Sequence, residues 1–154
     1  MSHTILLTGA SGYLGGTLLA HLRSASLPAY KKLYTLVRTQ DQAEAVRQYG
    51  AEPLFLDLKD ESAVFKTVHD NEISVIYYLI DAISSATQCL MIKALGQVKQ
   101  RTGREVHLLH TTGAKLFSSH AGLPTDRPLL DTNPELYGLQ KTTKSPHTVM
   151  ENVS

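Results

Sequence analysis

Cysteine is all but missing: Cys89 is the single one in 154 residues. That excludes an internal disulfide framework and any zinc cluster built from cysteines. An excess of one charge is missing too, since 15 basic against 14 acidic side chains leave a formal +1. A chain so balanced carries no broad electrostatic footprint for nucleic acid or anionic lipid, and neither partner is expected. Long hydrophobic runs are absent as well. Met1-Ser2-His3-Thr4 leads into only three apolar residues, Ile5 to Leu7, before Thr8-Gly9. A secretory leader needs a basic start and roughly 7–15 apolar residues, and no other run approaches the ~20 that cross a bilayer. The expected setting is the cytoplasm.

What is present, 42% hydrophobic and 19% charged residues, suits one soluble globular domain with a real core. Short apolar runs alternate with longer stretches of helical period. Ile5-Leu6-Leu7 reads as a first strand, followed by a helix with Leu14, Leu18, Leu19 and Leu22 on one face. Leu33 to Val37 reads as the second strand, and Gln40 to Tyr49 as a helix stopped by Gly50. Pro53 to Leu56 is a short third strand, and Asp60 is placed to cap a helix through Val64, Phe65 and Val68. Val75 to Ile80 is a continuous apolar run suited to a central strand buried on both faces. Ser85 with Gln88 has the spacing of a capping box for a helix ending at Gly103, and Val106 to His110 is the fifth strand.

Five strands joined by right-handed helical crossovers give an α/β fold, a doubly wound parallel sheet of order 3-2-1-4-5. Residues 1–112 form this core. Residues 113–134 hold two glycines and three prolines and read as one long loop. A weak helical stretch from Glu135 follows, interrupted at Ser145-Pro146.

The turn after the first strand, Thr8-Gly9-Ala10-Ser11-Gly12-Tyr13-Leu14-Gly15, carries glycines at its second, fifth and eighth positions. Gly9 would form the tight turn, Gly12 would let backbone N–H groups approach a pyrophosphate, and Gly15 would let helix and sheet pack closely. The helix N-terminus would then face the phosphates. Chance supplies only about 0.04 such triplets in a chain of this glycine content, so a plain strand-to-helix turn is the weaker reading.

These residues resemble the extended or atypical short-chain dehydrogenase/reductases, including the NmrA-like and NAD-dependent epimerase/dehydratase branches. The resemblance covers most of residues 4–112 and implies a single NAD(P)-binding Rossmann domain. It implies that Gly9, Gly12 and Gly15, with the backbone of Ser11, Tyr13 and Leu14, line the pyrophosphate. An acidic residue at the end of the second strand would favour NAD. This chain has Arg38, whose guanidinium can hold a 2′-phosphate, so NADP(H) is preferred with NAD possible. The rival reading of Arg38 is a solvated residue at a strand end. Asp57-Leu58 stands where the family places an acidic residue beside the adenine amine, and a purely capping role for Asp57 is equally open. Asp81 departs from the small residues usual under the nicotinamide ribose, though it can line the cleft.

The same resemblance implies a catalytic set of Thr112 at the end of strand five with Tyr137 and Lys141, a Tyr-x-x-x-Lys pair on the next helix. A helix puts i and i+4 on one face, and there the lysine would assist proton exchange at the phenol. About 0.4 such pairs arise by chance in a chain with seven tyrosines. His107 and His110 are three apart on a strand and point to opposite faces, so they do not share a metal. Compared with the family, the chain reads as C-terminally truncated, with the substrate domain absent. Strand five is then a bare edge, open to self-association. The function expected is hydride transfer on a small carbonyl, alcohol or sugar-nucleotide substrate. The alternatives are a non-catalytic NmrA-like NAD(P)-sensing module and an inactive truncated member.

Overall fold

A computed structural model describes residues 2–81, 84–113 and 117–141. Five parallel strands, β1 (Thr4–Leu7), β2 (Lys32–Val37), β3 (Glu52–Phe55), β4 (Val75–Tyr78) and β5 (His107–His110), form one sheet in the order β3-β2-β1-β4-β5. The expected doubly wound topology is therefore present. The crossovers are α1 (Tyr13–Leu22), α2 (Gln40–Arg47), α3 (Glu61–Asp70) and α4 (Ala86–Thr102). A short α5 (Leu136–Lys141) follows β5.

Period-two alternation along β1 divides the core. Ile5 and Leu7 point to the layer made with Leu19 and Leu22 of α1 and Ala43 and Val46 of α2. Leu6 points the other way, into a layer with Val64 and Val68 of α3 and Met91, Leu95 and Val98 of α4. The central strand is thus covered on both faces, as parallel sheets require. Pro53 is tolerated because β3 is an edge strand.

Helix ends follow local chemistry. Asp60 caps α3, its Oδ1 accepting from Ala63 N at 2.9 Å. Thr39 caps α2 through Gln42 N, and Gly103 closes α4 in the left-handed conformation at φ 66°.

Four expectations need correction. The run 75–80 is not one strand: β4 stops at Tyr78 because the next amide, Leu79 N, turns to the Thr8 hydroxyl at 2.9 Å. Ile80 is consequently exposed. The Ser85–Gln88 capping box does not form. Ser85 already has helical backbone angles, and the Gln88 amide instead donates to the Asp81 carbonyl at 2.9 Å. Leu14 is half exposed, since the first turn of α1 stands beyond the strand ends, and Gly15, Leu19 and Leu22 are its buried residues. The region after Gly113 is not wholly loop, because Ser119–Ala121 makes a 3₁₀ turn that buries Ala121 beside Leu123. The break expected at Ser145-Pro146 lies outside the described residues. Among the described residues no helix is long and apolar enough to cross a membrane.

Ile76 is fully buried at the centre of the α3/α4 layer. Ile76→Ala is expected to destabilise the protein by about 2–5 kcal/mol, whereas Asp60→Ala should cost about 1 kcal/mol through loss of the cap. Urea denaturation of both variants checks the ranking.

Candidate functional site

The parallel strands carry their following loops to one end of the sheet, and the glycine turn stands at the middle of it. Gly9 has φ +70°, a conformation that L side chains rarely adopt, and a Cβ there would lie 3.0 Å from Ile80 Cγ2. Gly15 is more constrained still. A Cβ would come within 2.2 Å of the Gly9 carbonyl oxygen and 2.6 Å of its carbon, so α1 rests directly on the turn. Gly12 N donates to Gly9 O at 2.9 Å and closes the bend.

Gly12 is also the N-cap of α1, with extended backbone and no side-chain cap; the first turn holds no acidic residue. The first N–H groups of a helix have no partner within it, and here no side chain occupies them. Their dipoles add to a positive end, and the first turn itself carries no acidic side chain to face it. Ser11, Tyr13 and Leu14 are all exposed around it, Tyr13 by 93%. An uncapped helix start with exposed surroundings, seated directly on the turn through Gly15, fits a pyrophosphate.

A cleft of about 500 Å³ opens beside the turn, lined by Gly9, Ser11, Arg38, Asp57, Leu58 and Ile80, with Leu36, Gln42 and Leu56. It gathers residues from the ends of four strands. Arg38 and Asp57, far apart in sequence, share this one wall. Asp57 has a local duty too, its Oδ1 accepting from Lys59 N at 2.9 Å in an Asx-type turn, while Asp60 alone caps α3. The helix-capping reading of Asp57 is thus not met: its carboxylate closes the turn before α3, and Asp60 makes the cap. Gln42, Leu36, Leu56 and Ile80 were not singled out in the sequence. Gln42 carried a usable signal, standing three residues after Thr39 in capping-box spacing.

Thr8 binds the turn to β4: its N donates to Tyr77 O at 3.0 Å, and its hydroxyl accepts from Leu79 N and donates to Tyr77 O. Asp81 follows at once, its Oδ1 accepting from Ser84 N at 3.1 Å. Beside it, Tyr78 and His110 face one another across β4 and β5 with ring centres 6.0 Å apart. Burial pushes the Tyr78 phenol up against the opposing Thr87 hydrogen bond, and Asp81 reinforces the rise. Burial lowers the His110 imidazole, and the Asp81 carboxylate opposes it. Both groups are accordingly neutral near pH 7.

Thr112 follows β5 with its hydroxyl oxygen buried and without a hydrogen-bond partner among the described residues. Tyr137 and Lys141 are together on α5, with Lys141 Nζ 4.3 Å from the centre of the tyrosine ring. No residue of α5 is buried, and neither Thr112 nor this pair lines the 500 Å³ cleft. Among the described residues, Gly9, Ser11, Arg38, Asp57 and Leu58 thus share one cleft.

With this geometry in view, a model of the NAD dependent epimerase/dehydratase family matches residues 5–120. Comparison with curated protein sequences finds no match. Among solved structures, the carbonyl reductase Sniffer of D. melanogaster is similar with a TM-score of 0.60 and 16% identity, over 97% of this chain and 71% of that one. The binary complex of leucoanthocyanidin reductase with NADPH from Vitis vinifera gives 0.53 at 18% identity, over 97% of this chain and 45% of that one. At such identities the likeness is one of fold. The chain spans less than half the length of leucoanthocyanidin reductase.

The glycines separate into those that need to be glycine and those that do not. Gly15→Ala, with backbone in the way, is expected to cost about 3 kcal/mol or more. Gly96→Ala, in mid-helix with nothing within 4 Å of its Cβ position, should instead stabilise by roughly 0.5–1 kcal/mol. Thermal melts moving in opposite directions are the expected outcome.

Proposed function

The chain belongs to the NAD dependent epimerase/dehydratase family, and we propose that it binds a nicotinamide dinucleotide, NADP(H) in preference to NAD(H). In this reading it serves hydride transfer on a small carbonyl, alcohol or sugar-nucleotide substrate in the cytoplasm. The observation that carries the proposal is the contact between Gly15 and Gly9 beneath an uncapped helix start. A turn packed that tightly holds the first-turn N–H groups of α1 directly over the bend.

The residues divide the ligand among them. The first-turn amides of α1, around Gly12 to Gly15, hold the pyrophosphate, and Ser11 stands at the cleft's entrance. Arg38 takes a ribose 2′-phosphate through charge-assisted bonds. Asp57 accepts from the adenine amine with the carboxylate oxygen not used by Lys59, and Leu58 packs beside the base. Asp81 borders the nicotinamide ribose. The nicotinamide, when bound, supplies or accepts the hydride. For substrate, Thr112 hydrogen-bonds the reacting oxygen, and Tyr137, with Lys141 beside its ring, exchanges the proton at that oxygen.

A second reading is a non-catalytic NAD(P)-sensing module. It is favoured by one observation: α5, which carries Tyr137 and Lys141, has no buried residue to fix it against the rest of the fold. Tyr137→Phe separates the two. The enzyme loses its turnover and keeps its nucleotide affinity, whereas the sensor shows no turnover to lose.

Calorimetric titration with NADPH and NADH tests the cofactor assignment directly. NADPH is expected to bind the more tightly, and Arg38→Gln to weaken NADPH by about 10- to 100-fold while leaving NADH nearly unchanged. Equal affinities in the parent protein would defeat the 2′-phosphate assignment.

We also assign self-association to β5. It is an edge of the sheet among the described residues, and its Leu109 is 48% exposed. Sedimentation should show mass rising with protein concentration, and Leu109→Lys should suppress the rise. A concentration-independent monomer would remove this assignment.

A further inference from the structure

Gln42 stands on the walls of two cavities at once. It lines the 500 Å³ cleft together with Arg38 and Ser11. It also lines a smaller cavity of about 280 Å³ between α1 and α2, closed mainly by Leu19, Leu36 and Val46. With Ser11 and Leu36, which line both cavities too, it stands where a polar cleft meets an apolar pocket.

The orientation of that side chain is settled by chemistry. Arg38 N donates to Gln42 Oε1 at 2.8 Å, and only the carbonyl end of a carboxamide can accept. The NH2 end is then turned away from the Arg38 backbone and donates to no other described residue. Gln42 is itself anchored, its backbone N donating to the Thr39 cap at 3.3 Å. In a capping box the glutamine returns to the cap residue's own N–H. Here it reaches one residue further back, to the residue that carries the guanidinium. The side chain thus fixes the backbone of Arg38 while leaving a pair of N–H donors at the same wall.

We propose that Gln42 is a specificity-determining residue for nucleotides bearing a phosphate on the adenosine ribose. Its oxygen positions Arg38, and its NH2 group donates to that phosphate beside the guanidinium. This rests on the dinucleotide reading above and adds to it a second donor group, neutral rather than charged. A glutamate here would keep the bond to Arg38 N, because a carboxylate also accepts. It would lose the donors and set a negative charge against the phosphate.

That distinction supplies the test. NADPH, NADH, 2′,5′-ADP and 5′-AMP are titrated into the parent protein, Gln42→Glu and Gln42→Met, with thermal melts confirming that each variant is folded. Gln42→Glu is expected to weaken NADPH and 2′,5′-ADP about ten-fold or more, and to leave NADH and 5′-AMP within about two-fold. Gln42→Met removes donor and anchor without adding charge. It should lower the NADPH-to-NADH affinity ratio in the same direction, which separates loss of the amide from mere neutralisation of Arg38. An unchanged ratio in Gln42→Met, or equal weakening of all four ligands in both variants, would overturn the assignment. A parent protein that binds none of the four ligands defeats the dinucleotide reading itself. A parent that binds them with a ratio insensitive to residue 42 defeats only this inference.

Discussion

The first helix and the bend before it touch so closely that there is no room between them for one carbon atom. The Gly9 carbonyl oxygen occupies the place where a Cβ of residue 15 would stand. From this contact follow the height at which α1 sits over the sheet, the direction of its first amides, and the open floor of the cleft. Gly9 could not be bent as it is with an ordinary side chain, because its φ is +70°. The two requirements are independent, one conformational and one steric, and both are met by the absence of a side chain.

Around that contact the chain separates stability from ligand contact. Both buried layers lie along the faces of the sheet, and their members are mostly aliphatic, with the phenols of Tyr34 and Tyr78 among the few polar groups. The polar groups with something to offer a ligand cluster at the strand ends, where the loops are. Arg38, Asp57 and Asp81 each stand one to three residues past a strand, so a rigid element sets the position of each backbone while its side chain stays adjustable. Loops so placed can vary without disturbing the packing beneath them.

Much of this was legible because it is written at short range. Strand order follows from alternating runs and the handedness of crossovers; the glycine turn follows from three-residue spacing directly after a strand; Asp60 and Gly103 follow from capping chemistry. What escaped depends on residues distant in sequence. The early end of β4 is set by Thr8, seventy-one positions before Leu79, and no periodicity within residues 75–80 could report it. Leu14 satisfies a helical stripe but stands in a turn that overhangs the strands, a matter of where α1 begins relative to the sheet. Gln42 lay within capping distance of Thr39, yet its link to Arg38 depends on the backbone path between strand and helix. The Tyr137–Lys141 spacing describes one helix face, and helical spacing carries no information on whether that face meets Thr112.

Thr8 uses both its amide and its hydroxyl on the neighbouring strand and the residue after it. The bend over the first helix and the segment leading into Asp81 are thereby fastened at a single side chain, fully buried. Neither can move alone without breaking that fastening. Any load placed on the bend would thus be carried by the same three bonds that hold the exit of the fourth strand.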